Sequence, residues 1–281
     1  MHASREPGRC PRFLSLALEQ GIDSLGLARL GKYTIIAGSL VGLPACGPDR
    51  QIETNSCLAE AINSVQTIGS HNSYHVLAPD SVLEALEDMR PGLKSKLEYE
   101  HPPLDVQLDL GLRLLELDFY ADPEGGLYEQ PPNLKFLREG DPPPYSKTSI
   151  NETGFKVMHI QGYDNYSHCL AFRDCLIALK QWSDQHPEHT LITVTLNLKD
   201  DHIFSGLLVP PNFDAELLAD IDELLLEVFG PGRLLVPDDV RGDSDSLRQA
   251  ILEKGWPRLA DTQQKFMFVL DEDKPKASKV Y

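Results

Sequence analysis

Thr67-Ile68-Gly69-Ser70-His71-Asn72-Ser73-Tyr74 decides how this chain is read. Val65 to Ile68 reads as the end of a short buried strand. Gly69 and Ser70 break it, and an imidazole and a carboxamide follow at its mouth. A strand that stops at a small residue and then presents polar side chains sets chemistry on a loop held by a rigid scaffold. Taken alone, a His-Asn pair in a loop is more often a hydrogen-bonded turn. Its weight comes from three later stretches with the same layout.

The first of these is Leu112 to Tyr120, a second strand. Side chains alternate along a strand, so Leu114, Glu116, Asp118 and Tyr120 share one face, and Arg113, Leu115, Leu117 and Phe119 share the other. Two carboxylates next but one on a largely apolar strand are costly to bury without a cation or donors to neutralise them. A polar strand end with solvated acids is the plain alternative. A third strand, Phe155 to Ile160, carries His159 at its end, where a satisfied structural histidine is the competing reading. The fourth, Leu191 to Lys199, sets Ile192, Val194, Leu196 and Leu198 against Thr193, Thr195, Asn197 and Lys199. Its polar face lines something wet or charged, or else belongs to a half-exposed antiparallel strand.

Between and after these strands the pattern is helical. Asp80 to Met89 reads as a helix with Asp80 as N-cap, and Pro102-Pro103 opens another that Gly111 stops. Leu170 to Trp182 is a third, and two cysteines placed like Cys169 and Cys175 cannot bridge if both are helical. Asp214 caps a long amphipathic helix ended by Gly230-Pro231, and Ser244 to Lys254 forms the last. Leu234 to Val236 and Lys265 to Leu270 read as fifth and sixth strands, and Asp271 to Tyr281 as a charged tail. Strand and helix in alternation predict βα units and a parallel sheet. The polar candidates fall at C-terminal strand ends, where (β/α)8 barrels keep their active sites. A doubly wound open sheet would place them similarly, but the Gly-rich phosphate fingerprint is absent. The expected fold class is therefore α/β, a TIM (β/α)8-type barrel truncated after its sixth strand.

The composition is that of a globular enzyme, with 41% hydrophobic and 25% charged residues in 281. A net charge of −17 argues against nucleic acid as a partner and against charge-driven attachment to anionic lipid. The five cysteines show neither a CxxC pair nor zinc spacing. Residues 1–50 read as a leader, and 51–281 as the catalytic barrel. Arg29 and Lys32 precede the uncharged run Tyr33 to Ala45, and Leu43-Pro44-Ala45-Cys46 follows the form of a lipoprotein signal with Cys46 lipidated. Pro44 is unusual in such a box, and the long preceding segment fits a start nearer Leu25 or Leu30. Export, as a periplasmic anchored lipoprotein or a secreted protein, is the expected destination. The run is too short to span a bilayer.

A set of motifs in order now supports a resemblance. They are Gly69 to Tyr74, Leu115-Glu116-Leu117-Asp118, Met158-His159, Phe172 to Leu176 through Trp182-Ser183, and Leu196 to Asp201. Pro237 to Asp243, Gly255-Trp256-Pro257 and Phe266 to Asp271 extend the set. From about Gln51 to Asp271 the chain resembles the bacterial calcium-dependent phosphatidylinositol-specific phospholipases C, a family of PLC-like phosphodiesterase barrels. The resemblance implies that His71 and His159 are the catalytic histidines and that Asn72, Glu116 and Asp118 are calcium ligands. The family has a further glutamate where this chain has Asn197, whose amide oxygen can still ligate Ca2+ with lower affinity. It also continues for two more strands.

The implied reaction is cleavage of the glycerophosphate ester of phosphatidylinositol to inositol phosphate and diacylglycerol at a membrane surface, by a monomer. His159 would protonate the leaving oxygen, and His71 would donate to the phosphoryl oxygen. Either Glu116 or one histidine would be the base. Lys199 would contact substrate phosphate or inositol, or else be a solvated strand-end lysine. Two other readings stand beside this one. The first is a glycerophosphodiesterase or sphingomyelinase-like hydrolase of the same superfamily. The second is a truncated, inactive lipid-binding lipoprotein.

Overall fold

The structure is a computed structural model, and it describes residues 57–202 and 206–271. The leader, the lipidation site at Cys46 and most of the charged tail lie outside the described residues. Four strands form one mixed sheet, β1 (Leu114–Asp122), β2 (Gly154–Val157), β3 (Ile192–Leu198) and β4 (Phe266–Leu270), in the order β2-β1-β3-β4. The sheet is open among the described residues and has four strands, where the sequence reading expected six strands of a truncated barrel.

Three further segments pair with the sheet without becoming strands, one of them through a single antiparallel bridge between Ala171 and Lys156 of β2. Ile68 and Ser70 hydrogen-bond to the start of β1, with a single parallel bridge between Gly69 and Leu114. Ile68 is 53% exposed, so the buried first strand is corrected to a short extended segment. Leu234 likewise makes one parallel bridge to Phe266 in place of a fifth strand.

The parallel sheet is also corrected. β1 pairs with β3 in parallel and β3 with β4 in parallel, but β2 runs antiparallel to β1, with Phe119 opposite Val157 and Asp122 opposite Gly154. The cause lies in the connection. Parallel neighbours need a crossover, usually a helix. Residues 123–153 offer only the 3-10 turn Pro132–Phe136 and the five-residue helix Lys147–Asn151. The chain therefore folds back as a wide hairpin. A buried ion pair clips the two strands, Lys156 Nζ to Asp122 Oδ2 at 3.2 Å.

The faces divide as alternation demands. Leu115, Leu117, Phe119 and Ala121 of β1 and Ile192, Val194, Leu196 and Leu198 of β3 form one core. They pack with Phe172, Leu176 and Leu179 of the helix Phe172–Gln185 and with Ile221 and Leu225 of the helix Ala215–Phe229. The Asp214 carboxylate caps the second helix by accepting from the backbone N–H groups of Glu216 and Leu217. In the helix Asp80–Met89 the N-cap is Pro79, and Asp80 sits in the first turn rather than capping it. The helix after Leu170 starts at Phe172, which leaves Cys169 outside it, and Cys169 and Cys175 form a disulfide. The condition that would have forbidden the bridge, both cysteines helical, does not hold.

Candidate active site

β1 organises the site through its edges. Its odd-numbered residues bond to β3. Its even-numbered residues present their backbone groups to the opposite edge, and two segments meet there end to end. The segment from Ile68 to Ser73 climbs along Leu114 and Glu116, with Ser73 N–H donating to Glu116 O at 3.1 Å. The hairpin strand β2 descends to the same point, where Met158 N–H donates to Asp118 O at 3.2 Å. His71, Asn72 and His159 are thereby brought to the level of Glu116 and Asp118. This is the middle of β1, not its C-terminal end.

The loop bearing His71 and Asn72 is clamped from below. Buried Gln107, on the helix Leu104–Asp109, accepts from Ser70 Oγ at 2.6 Å and donates to the carbonyls of Ser73 and Pro102. Ser73 Oγ accepts from Glu116 N–H at 2.8 Å. Asn72 has φ 50°, in the left-handed region that asparagine tolerates better than most side chains. That turn buries its carboxamide and aims its own N–H at Glu116 Oε2, 3.2 Å away. The Asn72 amide donates to Tyr99 Oη at 2.7 Å and accepts weakly from Tyr74 at 3.5 Å. His71 stays exposed, with Nε2 3.7 Å from Glu116 Oε2.

The two acids are only partly compensated, and Glu116 carries the cost. Burial, then the nearby Asp118 charge, pushes the Glu116 carboxyl up from its ordinary value, against smaller opposing contributions from His71, the Asn72 N–H and Lys199. Asp118 is almost fully buried, and its Oδ2 accepts from Lys199 Nζ at 2.8 Å. Its Oδ1 is buried and has no hydrogen-bond partner among the described residues. Asn197 on β3 lies directly opposite Asp118 in the parallel register. Lys199 is thus not a solvated strand-end lysine: it is ion-paired and mostly buried.

The site also contains residues that sequence reasoning missed. His159 Nδ1 donates to Asp164 Oδ2 at 2.7 Å, and Asp164 Oδ1 accepts from His75 Nε2 at 2.8 Å. His101 donates through Nε2 to the His71 carbonyl at 2.9 Å. Tyr99 stacks on the His75 ring with centroids 4.2 Å apart, and burial pushes its hydroxyl up to about 12. His75 follows the opening motif by one residue, which was its only sequence signal. Nothing in the sequence marks Asp164.

The family model for phosphoinositide phospholipase C, Ca2+-dependent, matches residues 61–281. The chain belongs to this calcium-dependent phospholipase family. No curated protein matches it. Among solved structures it is similar to a calcium-dependent phosphoinositol-specific phospholipase C from a Gram-negative bacterium, Pseudomonas sp. Identity is 23%, over 80% of this chain and 62% of that one, with a TM-score of 0.47. The myoinositol complex from that source gives 23% identity over 77% and 59%, with a TM-score of 0.44. A Ca2+-dependent phosphatidylinositol-specific phospholipase C from Streptomyces antibioticus gives 21% identity over 73% and 51%, with a TM-score of 0.42. The chain thus spans less than two thirds of the length of these structures.

The residues of this phospholipase-family chain fit the ion named in the family description. Calcium takes oxygen donors, including carboxylates and amide carbonyls. The orphaned Asp118 Oδ1, the raised Glu116 carboxyl and the facing amide of Asn197 form such a donor set. Lys199 already supplies one positive charge to it.

Proposed function

We propose that this chain cleaves the phosphodiester of phosphatidylinositol, releasing diacylglycerol and an inositol phosphate. The observation that carries the reading is that the segments bearing His71 and His159 both dock on one edge of β1 at the level of Glu116 and Asp118, with one oxygen of Asp118 unpaired among the described residues. Asn72, Glu116, Asp118 and Asn197 would hold calcium, which when bound would offset phosphoryl charge and acidify the attacking hydroxyl. His159 is held at Nδ1 by Asp164, so Nε2 is its transferable-proton position, suited to protonating the departing glycerol oxygen. His71, exposed at the mouth, would donate to the phosphoryl oxygen as charge builds there. The base falls to Glu116 or one of the histidines. Lys199 would turn from Asp118 to the substrate phosphate.

Turnover of phosphatidylinositol, with His159→Ala and His71→Ala each lowering it by roughly 10²–10⁴, is the expected result. Hydrolysis of sphingomyelin or a glycerophosphodiester with phosphatidylinositol untouched would favour the sister chemistries. Wild-type turnover in either variant would remove the assigned roles.

The chain is further proposed to act at a membrane surface after export. The Cys169–Cys175 disulfide supports this, since such bonds persist in oxidising compartments. Among the described residues no helix is long and apolar enough to cross a membrane, so attachment would come from the leader or from contact with lipid.

A further inference from the structure

Asp164 is a buried carboxylate with a histidine on each oxygen. His159 Nδ1 lies 2.7 Å from Oδ2, and His75 Nε2 lies 2.8 Å from Oδ1. Asp164 and His75 are essentially inaccessible to solvent, while the His159 side chain is 24% exposed. The second nitrogen of His75, Nδ1, is 3.0 Å from the Tyr99 carbonyl. A carbonyl accepts only, and so does an ionised carboxylate, so each His75 nitrogen faces an acceptor. His159 Nε2 has no hydrogen-bond partner among the described residues. Asp164 sits on a tight turn that pairs its backbone with Ile160 in both directions, so its Cα is fixed relative to His159.

A carboxylate held by one donor still pivots about its side-chain bonds. With a donor on each oxygen, and one of those donors stacked on Tyr99 and bonded to its backbone, the plane is fixed. Burial pushes the Asp164 carboxyl up, but the hydrogen bonds from His159 and His75 outweigh it and hold it below the usual carboxylate range. We infer that Asp164 and His75 are positioning residues for the proposed phospholipase reaction: Asp164 fixes the tautomer and plane of His159, and His75 fixes Asp164. His75 thus serves the reacting proton at one remove. This rests on the phosphodiesterase reading of the site for its kinetic consequence, though not for its geometry.

The kinetic test compares leaving groups. Phosphatidylinositol in detergent micelles departs as an alkoxide and needs a proton. An inositol phosphodiester of p-nitrophenol departs as a stable anion and does not. Asp164→Asn and His75→Phe should lower kcat on the lipid by roughly tenfold to a thousandfold, with KM little changed, and lower it far less on the nitrophenyl substrate. His75→Gln, which restores one N–H toward Asp164, should recover much of the loss. Equal losses on both substrates, or no loss on the lipid, would overturn the inference.

Long-range 1H–15N spectra of the wild-type histidines decide the geometry without any turnover. They should show His75 carrying a proton on Nε2, toward Asp164, and neutral His159 carrying its proton on Nδ1. Neutral His159 carrying its proton on Nε2 would refute the positioning role whatever the kinetics. Should the wild type cleave neither substrate while its rings show the expected states, the phosphodiesterase reading fails and the positioning geometry stands.

Discussion

Lys199 occupies the counter-charge position of the acidic site, and removing it should tighten calcium binding. Its Nζ lies 2.8 Å from Asp118 Oδ2, with the lysine side chain 18% and the aspartate side chain 1% exposed. At an effective dielectric constant of about 20, unit charges at that distance attract by roughly 6 kcal/mol before desolvation. Desolvation of the ammonium and the carboxylate offsets much of this, leaving a net contribution of about 1–3 kcal/mol. Calcium must overcome that contribution to take the oxygen. Lys199→Met keeps the stem and deletes the charge, so calcium affinity should rise roughly tenfold to a hundredfold. Asn197→Glu adds a carboxylate opposite Asp118 and should tighten binding by about another tenfold.

Calorimetric titration reads both variants, and a calcium-dependent rise in melting temperature reads them again, because a ligand selective for the native state stabilises it by mass action. Without calcium, Lys199→Met should melt lower than the wild type, since Asp118 then loses its ionic partner among the described residues. Unchanged or weaker calcium binding in Lys199→Met would show that the lysine and the ion do not compete for Asp118.

Two further outcomes concern stability. The Asp164 carboxyl is depressed in the folded state, so it adds stability above its unfolded pKa and loses it as pH falls through the folded value. Asp164→Asn should therefore destabilise by about 3 kcal/mol at neutral pH, and the deficit should shrink in acid denaturation profiles run below the usual carboxylate range. A deficit that is constant across pH would mean that the carboxylate's charge contributes nothing. The Cys169–Cys175 bridge closes a loop with a sequence separation of 6, for which chain entropy predicts about 2 kcal/mol. Urea melts of the double Cys→Ala variant, or of reduced protein, measure it, and an unchanged midpoint would refute the estimate.

Alternation made much of this site legible. Leu115, Leu117 and Phe119 against Glu116 and Asp118 follow from side-chain period alone, as do the two faces of β3. Strand direction did not follow, because a strand's side-chain pattern is the same read either way. The relevant signal was the connection, a Pro-rich stretch from Pro131 to Tyr145 with no room for a crossover helix. Val65 to Gly69 and Leu234 to Val236 were read as strands from short apolar runs, but a ladder also needs a neighbour in register, and each finds only one bridge. The Cys169–Cys175 disulfide was left open, because spacing excludes it only if both cysteines are helical, and Cys169 precedes the helix that starts at Phe172. Asp164 was invisible because its partner His75 lies 89 residues away, and only tertiary structure joins them.

The reversed strand is what assembles the two histidines. In a parallel arrangement the residues after Val157 would continue past Asp122, carrying His159 away from the acids. In the antiparallel register they travel back down β1, and Met158 docks on Asp118. Tyr120, on the acidic face, donates to the His159 carbonyl at 3.2 Å and fixes how far the chain travels. Asp164, five residues on, then turns the imidazole, and His75 reaches the same carboxylate from the opposing segment. The two segments that meet on the edge of β1 are therefore cross-linked twice, through the strand backbone and through one buried carboxylate. His159 and Asn72 owe their relative placement to that cross-link, since Tyr99 both stacks on His75 and accepts from the Asn72 amide. The segment bearing His159 and the turn bearing Asn72 are thus held by one continuous network of hydrogen bonds and ring stacking.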